Sequence, residues 1–473
     1  MKKAIFLVLL LSVCVSPFAQ SQQKRIDSVC FLVKKYFNEK NADGLYLLGG
    51  EAFHKQLPLE TFRQVCKDNL FPLGVIKETV FENNTNGVSK YKAVFDSGNI
   101  SLLLSLDANN KLETLLFQAY QEEKPKKDHV ATDNVLVSVL DKEVDKAVQP
   151  YMELPQTCGL SVGVLKDGKI YFYDYGETKR NGKKLPASNT IFEIGSISKT
   201  FTSILLADAI ETGKIKLDDP INKYLPDSIH ALEFNGTPIT IRTLANHTSG
   251  ISPLPNNLVL NAETNPNPYK DYDDKKMFSF YKTFTPVRKP GEKYEYSNLA
   301  VATLGVILER INKKTYEQLI VEKICDPLQM NDTRQYIRRN DSARFAKGYN
   351  ESGADNSQWD FKAFAGAGSI RSTVADLLKY AKANLDEAPA SLNKDIQLTH
   401  EVTFTDGKNK LGLGWHYIKP GTDEVIFHNG GTGGYRTYLA VNLQKKFAVV
   451  ILSNTSIGTE KVGNELMKWL ETN

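Results

Sequence analysis

Apolar residues along the chain change period several times, and the changes mark its elements. Ile26, Val29, Cys30, Val33, Tyr36 and Phe37 recur every three or four residues, the spacing of one buried helical face, and helical patterning continues to about residue 69. Strand-like runs follow at 75–81, 91–95, 100–106 and 112–119, the last two joined by the turn Asp107-Ala108-Asn109-Asn110. Helices followed by a meander predict a small α+β unit over residues 22–120. Residues 121–134 are charged, contain Pro125 and lack apolar periodicity, which predicts a linker. Leu136, Val139, Leu140, Val144 and Val148 then predict a helix over 135–152. The runs 159–166 and 169–175 flank Asp167-Gly168, a two-residue hairpin signal. More strands are expected at 425–428, 436–442 and 447–452, with helices between at 300–311, 316–324 and 374–385. Strands at both ends predict one sheet built from both termini of residues 135–473, with a helical insertion.

Composition adds a compartment and removes some partners. Lys2 and Lys3 precede an apolar run over 4–15, and Ala19-Gln20-Ser21 suits cleavage, so residues 1–21 read as a signal peptide. The run is too short to span a membrane comfortably, and no integral segment is expected after its removal. This predicts an exported protein, periplasmic or extracellular. The formal net charge is +4, falling to +2 without Lys2 and Lys3. That balance offers no footprint for nucleic acid and points to a small-molecule or peptide substrate. Cys30, Cys66, Cys158 and Cys325 match no metal spacing. Disulfides are open to an exported chain; buried free thiols are the preferred reading.

Candidate chemistry centres on Phe192-Glu193-Ile194-Gly195-Ser196-Ile197-Ser198-Lys199, which opens a helix-length segment closing on Gly213. A Ser three residues before a Lys on a helix places both side chains on one face. A serine nucleophile needs an adjacent base, and a lysine serves when burial lowers its pKa. Ser-x-x-Lys also occurs at Ser89, Ser279 and Ser391, in ordinary polar settings. On these residues alone, a nucleophile and an exposed helix cap stay equally open. Two further motifs follow: Tyr296-Ser297-Asn298, and His428-Asn429-Gly430-Gly431-Thr432-Gly433-Gly434 after an apolar strand. Glycines there let backbone approach a ligand closely. Lys419-Pro420-Gly421 competes for the second motif but reads as a turn.

Ser-x-x-Lys, then Tyr-x-Asn about a hundred residues on, then His/Lys-x-Gly near the C-terminus, resembles the serine hydrolases grouped with class C β-lactamases and D-alanyl-D-alanine carboxypeptidases. His247-Thr248-Ser249-Gly250 and Gly366-Ala367-Gly368-Ser369 fit the likeness, which runs from about residue 135 to the end. The resemblance implies an α+β, β-lactamase/transpeptidase-like fold: an antiparallel sheet flanked by helices, plus a helical lobe. By element order alone, residues 22–120 resemble NTF2-like modules. The family implies Ser196 as acylated nucleophile, Lys199 as base or relay, and Tyr296 as second proton-transfer group, acting as phenolate or through Lys199. It implies Asn298 on Lys199 and the substrate amide, His428 and Gly430 at the substrate, and an oxyanion between the Ser196 and Gly431 N–H groups. It implies no cofactor and no metal.

β-Lactamases of this class carry Lys where His428 stands, so the expected substrates are D-amino-acid peptides or esters of cell-wall type, with β-lactams poor. The alternatives are a class C-type β-lactamase and a non-catalytic protein that binds peptidoglycan fragments. His247 is expected to be structural. An unperturbed histidine titrates near ~6.5, so His428 is expected to favour a substrate carboxylate at low pH.

Overall fold

A computed structural model describes residues 17–85, 87–120, 129–260 and 265–473. Most of the expected signal peptide and the first part of the expected linker, 121–128, lie outside the described residues. The chain divides into two units, Met1–Lys124 and Pro125–Asn473.

In the first unit, helix α1 (Pro17–Asn38) and three short helices precede an antiparallel meander of β1 (Glu78–Thr85), β2 (Val88–Phe95), β3 (Gly98–Leu106) and β4 (Leu112–Ala119), in sequential order. Ile26, Cys30, Val33 and Phe37 share a core with Tyr91, Ala93, Phe95, Leu102 and Leu104. β2 alternates between half-buried and buried positions, as a strand with one covered face must. β1 starts later than its apolar pattern suggests. The Asn38 side chain bonds both backbone groups of Ile76, at 2.8 and 2.9 Å, and regular strand structure begins only at Glu78.

The second unit begins earlier than a linker ending at residue 134 would place it. Val130 is buried, Gly176 N–H donates to Ala131 O at 2.7 Å, and Asn134 Nδ2 donates to Tyr175 Oη at 2.8 Å. Helix α2 (Val139–Met152) starts at a capping box in which Ser138 and Asp141 bond each other's backbone. That cap, with Leu136 at φ +57°, cuts off the expected first turn and leaves Leu136 and Val139 exposed.

The main sheet uses β5 (Gly159–Lys166), β6 (Lys169–Gly176), and, after the short pair β7 (Phe192–Glu193) and β8 (Arg371–Ser372), the strands β9 (Phe404–Thr405), β10 (Lys410–Leu411), β11 (His416–Ile418), β12 (Val425–Gly431), β13 (Arg436–Asn442) and β14 (Phe447–Ser453). Its antiparallel order is β9-β10-β11-β12-β13-β14-β5-β6, so the hairpin after α2 joins the C-terminal strands through β14. Side-chain alternation sorts the apolar residues into two cores. Phe447, Val449 and Ile451 of β14 face α2 and the C-terminal helix α7 (Glu460–Thr472). Ala448, Val450 and Leu452 face the core that contains α3 (Ser198–Glu211), α4 (Asn298–Asn312), α5 (Ala365–Gly368) and α6 (Val374–Lys382).

Helix α3 is buried on nearly every side, its polar residues included. Thr202 Oγ1 donates to Gly366 O at 2.7 Å and Tyr380 Oη donates to Thr200 Oγ1 at 2.9 Å, so these hydroxyls are satisfied inside the core. Ahead of it, Gly195–Ile197 form a 3₁₀ turn. Gly195 has φ +53°, and a Cβ there would lie 2.5 Å from Gly431 N. Gly430 is as tight: a Cβ would lie 2.0 Å from Ile194 O. Two glycines thus let the end of β12 rest directly on the turn carrying Ser196.

Gly195→Ala is therefore expected to leave a folded protein whose β12 end is pushed off that turn. Labelling of Ser196 by a serine-reactive phosphonate should slow by at least ~100-fold, the scale of losing a preorganised backbone donor. Wild-type labelling rates would show that the close approach does not matter.

Candidate active site

Each motif arrives on its own support. Ser196 is set by the 3₁₀ turn before α3, and Lys199 lies in that helix's first turn. Asn298 opens α4, whose cap is Ser297, with Ser297 Oγ accepting from Ala300 N–H at 3.0 Å. Tyr296 is clamped from both sides by His247. Glu295 N–H donates to His247 O at 2.8 Å, Ser297 N–H donates to His247 Nδ1 at 3.1 Å, and the two rings stack at 4.4 Å. An Nδ1 that accepts carries no proton, so His247 is neutral and structural, and burial pulls its pKa well below the ordinary value.

Lys199 is fully buried. Its Nζ lies 2.9 Å from Ser196 Oγ, 2.8 Å from Asn298 Oδ1 and 2.7 Å from Ala367 O. None of these partners is anionic, and among the described residues no carboxylate pairs with it. Burial drives its pKa well below that of a free lysine. A neutral amine has two protons and one lone pair. In that form Asn298 Oδ1 and Ala367 O would accept its two protons, leaving the lone pair for the Ser196 hydroxyl. This arrangement can remove a proton from serine.

Tyr296 lies next to this group, with Lys199 Nζ 5.0 Å from its ring centroid. Burial raises the phenol pKa, outweighing the hydrogen bond with Ser196, which favours the protonated phenol in the resting protein. Sequence reasoning missed His416, which stands 6.3 Å from Tyr296 and 5.2 Å from His428, ring to ring, and is pulled down to about 4 by burial. Its short edge strand is too brief to leave a pattern.

His428 corrects an expectation. It is 1% exposed, and burial holds its pKa well below 6.5. Its Nδ1 lies 2.6 Å from Asn429 O. It stays neutral across the physiological range and does not change charge near pH 6.5. Lys419-Pro420-Gly421 lies between β11 and β12, as a turn.

Ser196, Tyr296, Gly430 and Gly431 line a cavity of about 540 Å³, together with Tyr294, Trp359, His416, Asn429, Arg436 and Glu460. Asn298 and His428 are not among its lining residues. Trp359 is fixed by a buried ion pair: its N–H donates to Glu193 Oε1 at 2.9 Å and its carbonyl accepts from Arg371 Nη2 at 2.8 Å. A larger cavity of about 820 Å³, walled by Asp273, Glu309, Arg310 and Lys313 among others, contains none of the motif residues. Among the described residues Cys30, Cys66, Cys158 and Cys325 are all buried, and burial raises the Cys30 and Cys66 thiols to about 11. Among the described residues no group of metal-ligating side chains is assembled.

The lowered Lys199 pKa has a consequence for stability. Between its folded and unfolded values (about 10.5 unfolded) the unfolded chain holds a proton that the folded one lacks, so this group makes stability rise with pH until ~10.5. Lys199→Met should remove that contribution, lowering the slope of unfolding free energy between pH 7 and 9 by up to about 1.4 kcal/mol per pH unit. Urea unfolding at three pH values measures it; equal slopes would mean that the folded protein keeps the lysine charged.

A family profile described as Beta-lactamase matches residues 144–472. A "Beta-lactamase" of Pseudomonas fluorescens is 28% identical over 346 residues, 66% of this chain and 92% of that protein. The "D-alanyl-D-alanine-carboxypeptidase/endopeptidase AmpH" of Escherichia coli K12 is 30% identical over 313 residues, 63% of this chain and 80% of its own length. A solved structure, "A class C beta-lactamase", superposes with a TM-score of 0.63 at 24% identity, covering 72% of this chain and 99% of its own, a likeness of fold. With that fold and these motifs, the chain belongs to the beta-lactamase family of serine hydrolases.

Proposed function

We propose that the protein is an exported enzyme that cleaves D-amino-acid peptides or esters through an acyl-enzyme at Ser196. The observation that carries this reading is the buried, carboxylate-free Lys199 whose Nζ lies 2.9 Å from Ser196 Oγ, with burial holding its pKa well below that of a free lysine. Ser196 Oγ attacks the substrate carbonyl carbon while its proton passes to Lys199 Nζ. The Ser196 and Gly431 N–H groups hold the resulting oxyanion, a term worth on the order of 3–4 kcal/mol per donor. Tyr296 gives its proton to the departing nitrogen or oxygen and is reprotonated by Lys199. Water then attacks the ester, its proton returns through the same pair, and the acid leaves with Ser196 restored. Asn298 orients Lys199 throughout, and His247 positions Tyr296.

Export is supported by Lys2, Lys3 and the apolar run after them; among the described residues no helix is long and apolar enough to cross a membrane. The peptide reading draws on the AmpH likeness and on His428, a neutral group where β-lactamases of this class carry a cation. The runner-up, a class C-type β-lactamase, draws on the names of other relatives.

A panel of D-Ala-D-Ala peptide, short-chain esters and a chromogenic cephalosporin tests the reading. Peptide or ester turnover should exceed cephalosporin turnover; the reverse order would favour the runner-up. Ser196→Ala should abolish turnover and covalent labelling, and labelling mapped to another serine would contradict the assignment. Lys199→Ala and Tyr296→Phe should each cost at least ~100-fold in rate, the scale of a positioned proton-transfer group.

A further inference from the structure

Three neutral histidines lie around Tyr296, and they are not equivalent. His247 Nδ1 accepts from Ser297 N–H, and His428 Nδ1 lies at Asn429 O. In both rings Nε2 is buried without a hydrogen-bond partner. His416 is the one of the three that lines the cavity with Ser196. Among the described residues neither of its ring nitrogens is hydrogen-bonded to the protein, and neither is sealed from solvent.

Local structure holds that ring in place. Gly414 has φ +70°, and a Cβ on it would lie 2.4 Å from Ser203 Oγ and 2.8 Å from Lys199 O. The turn between β10 and β11 therefore rests directly on α3, beside Lys199. Gly414 N–H donates to Ala245 O at 3.2 Å, and Gly412 N–H to Trp415 O at 2.9 Å. Trp415 is buried in the main core, and strand alternation turns the next side chain, His416, to the cavity. Its ring meets Tyr294 edge-on at 5.9 Å and lies within 25° of parallel to Tyr296. A neutral imidazole offers one N–H and one lone pair.

No step of acylation uses that lone pair. Deacylation brings in one new reactant, a water with two protons, of which the Tyr296–Lys199 pair takes one. Held by a single partner, the water is free to turn; a second acceptor aims its attacking lone pair.

We propose that His416 holds the water that hydrolyses the acyl-enzyme, accepting a hydrogen bond from one O–H while the other gives its proton to the Tyr296–Lys199 pair. This role rests on the acyl-enzyme reading of Ser196 and adds the group that its second half needs. The water oxygen bonds to the ester carbonyl carbon, the carbon–Oγ bond breaks, and the transferred proton ends on Ser196 Oγ. The hydrogen facing His416 leaves with the acid. Burial pulls His416 down to about 4, so it accepts the hydrogen bond at pH 7 without taking the proton.

Separating the two halves of the reaction tests this. An N-acyl-D-alanyl thioester is mixed with the protein; first-turnover thiol release reports acylation, and intact mass follows decay of the adduct on Ser196. His416→Ala should slow decay by about tenfold or more, the rate equivalent of one hydrogen bond, while acylation and phosphonate labelling stay within a few-fold of wild type. His416→Gln, whose amide oxygen can accept, should recover part of the decay rate. If His416 only braces the cavity wall, His416→Ala will slow acylation and decay by the same factor, which would overturn the proposal, as would unchanged decay. If the wild type neither cleaves the thioester nor is labelled at Ser196 by a phosphonate, the acyl-enzyme reading itself falls, a result distinct from either.

Discussion

A lysine buried without a counter-ion governs the second unit. In water its ammonium would be solvated; buried here, its Nζ meets a hydroxyl, an amide oxygen and a peptide oxygen, none anionic. Charging it there costs several kcal/mol, so the fold stabilises the amine instead. The same penalty spreads outward. His247, His416 and His428 crowd the site and all remain neutral, and Tyr296 keeps its proton. An enclosure of uncharged acids and bases can pass a proton between neighbours without first moving a solvated ion.

Holding that enclosure together requires contributions from distant parts of the chain. Lys199 comes from a helix buried on nearly every side, Asn298 from the start of another, and Ala367 from a short helix against both. Gly195 and Gly430 remove the side chains that would keep the sheet edge away from the serine. The His247 backbone and ring together fix the residues on either side of Tyr296. No single element makes the site, and close packing converts sequence-distant residues into one rigid group.

Much of this was legible in the chain. The Asp167-Gly168 hairpin, the C-terminal strands and the helix after Ser196 carry strong local periodicity, and two short motifs hold Ser196, Lys199, Tyr296 and Asn298. What escaped depends on tertiary burial or on backbone capping. Ser138 and Asp141 overrode the apolar pattern at residues 135–139, because a satisfied capping box fixes a helix start more firmly than propensity does. His428 looks exposed at a strand end until β11 and Tyr296 cover it. His416 and Arg436 belong to no motif. Arg436 could have been found from the hairpin, since a tight loop after the glycines returns it beside Gly431; His416 sits on a three-residue edge strand with no pattern to read.

The central claim is that Lys199 is an uncharged amine in the resting protein. The most direct measurement is the pH titration of its Nζ and Cε resonances in protein carrying isotope-labelled lysine, assigned by comparison with Lys199→Met. A neutral-amine signal at pH 7.5, changing to the ammonium value only on acidification, is the predicted result. An ammonium signal that persists until pH approaches ~10.5, the value of a free lysine, would contradict it.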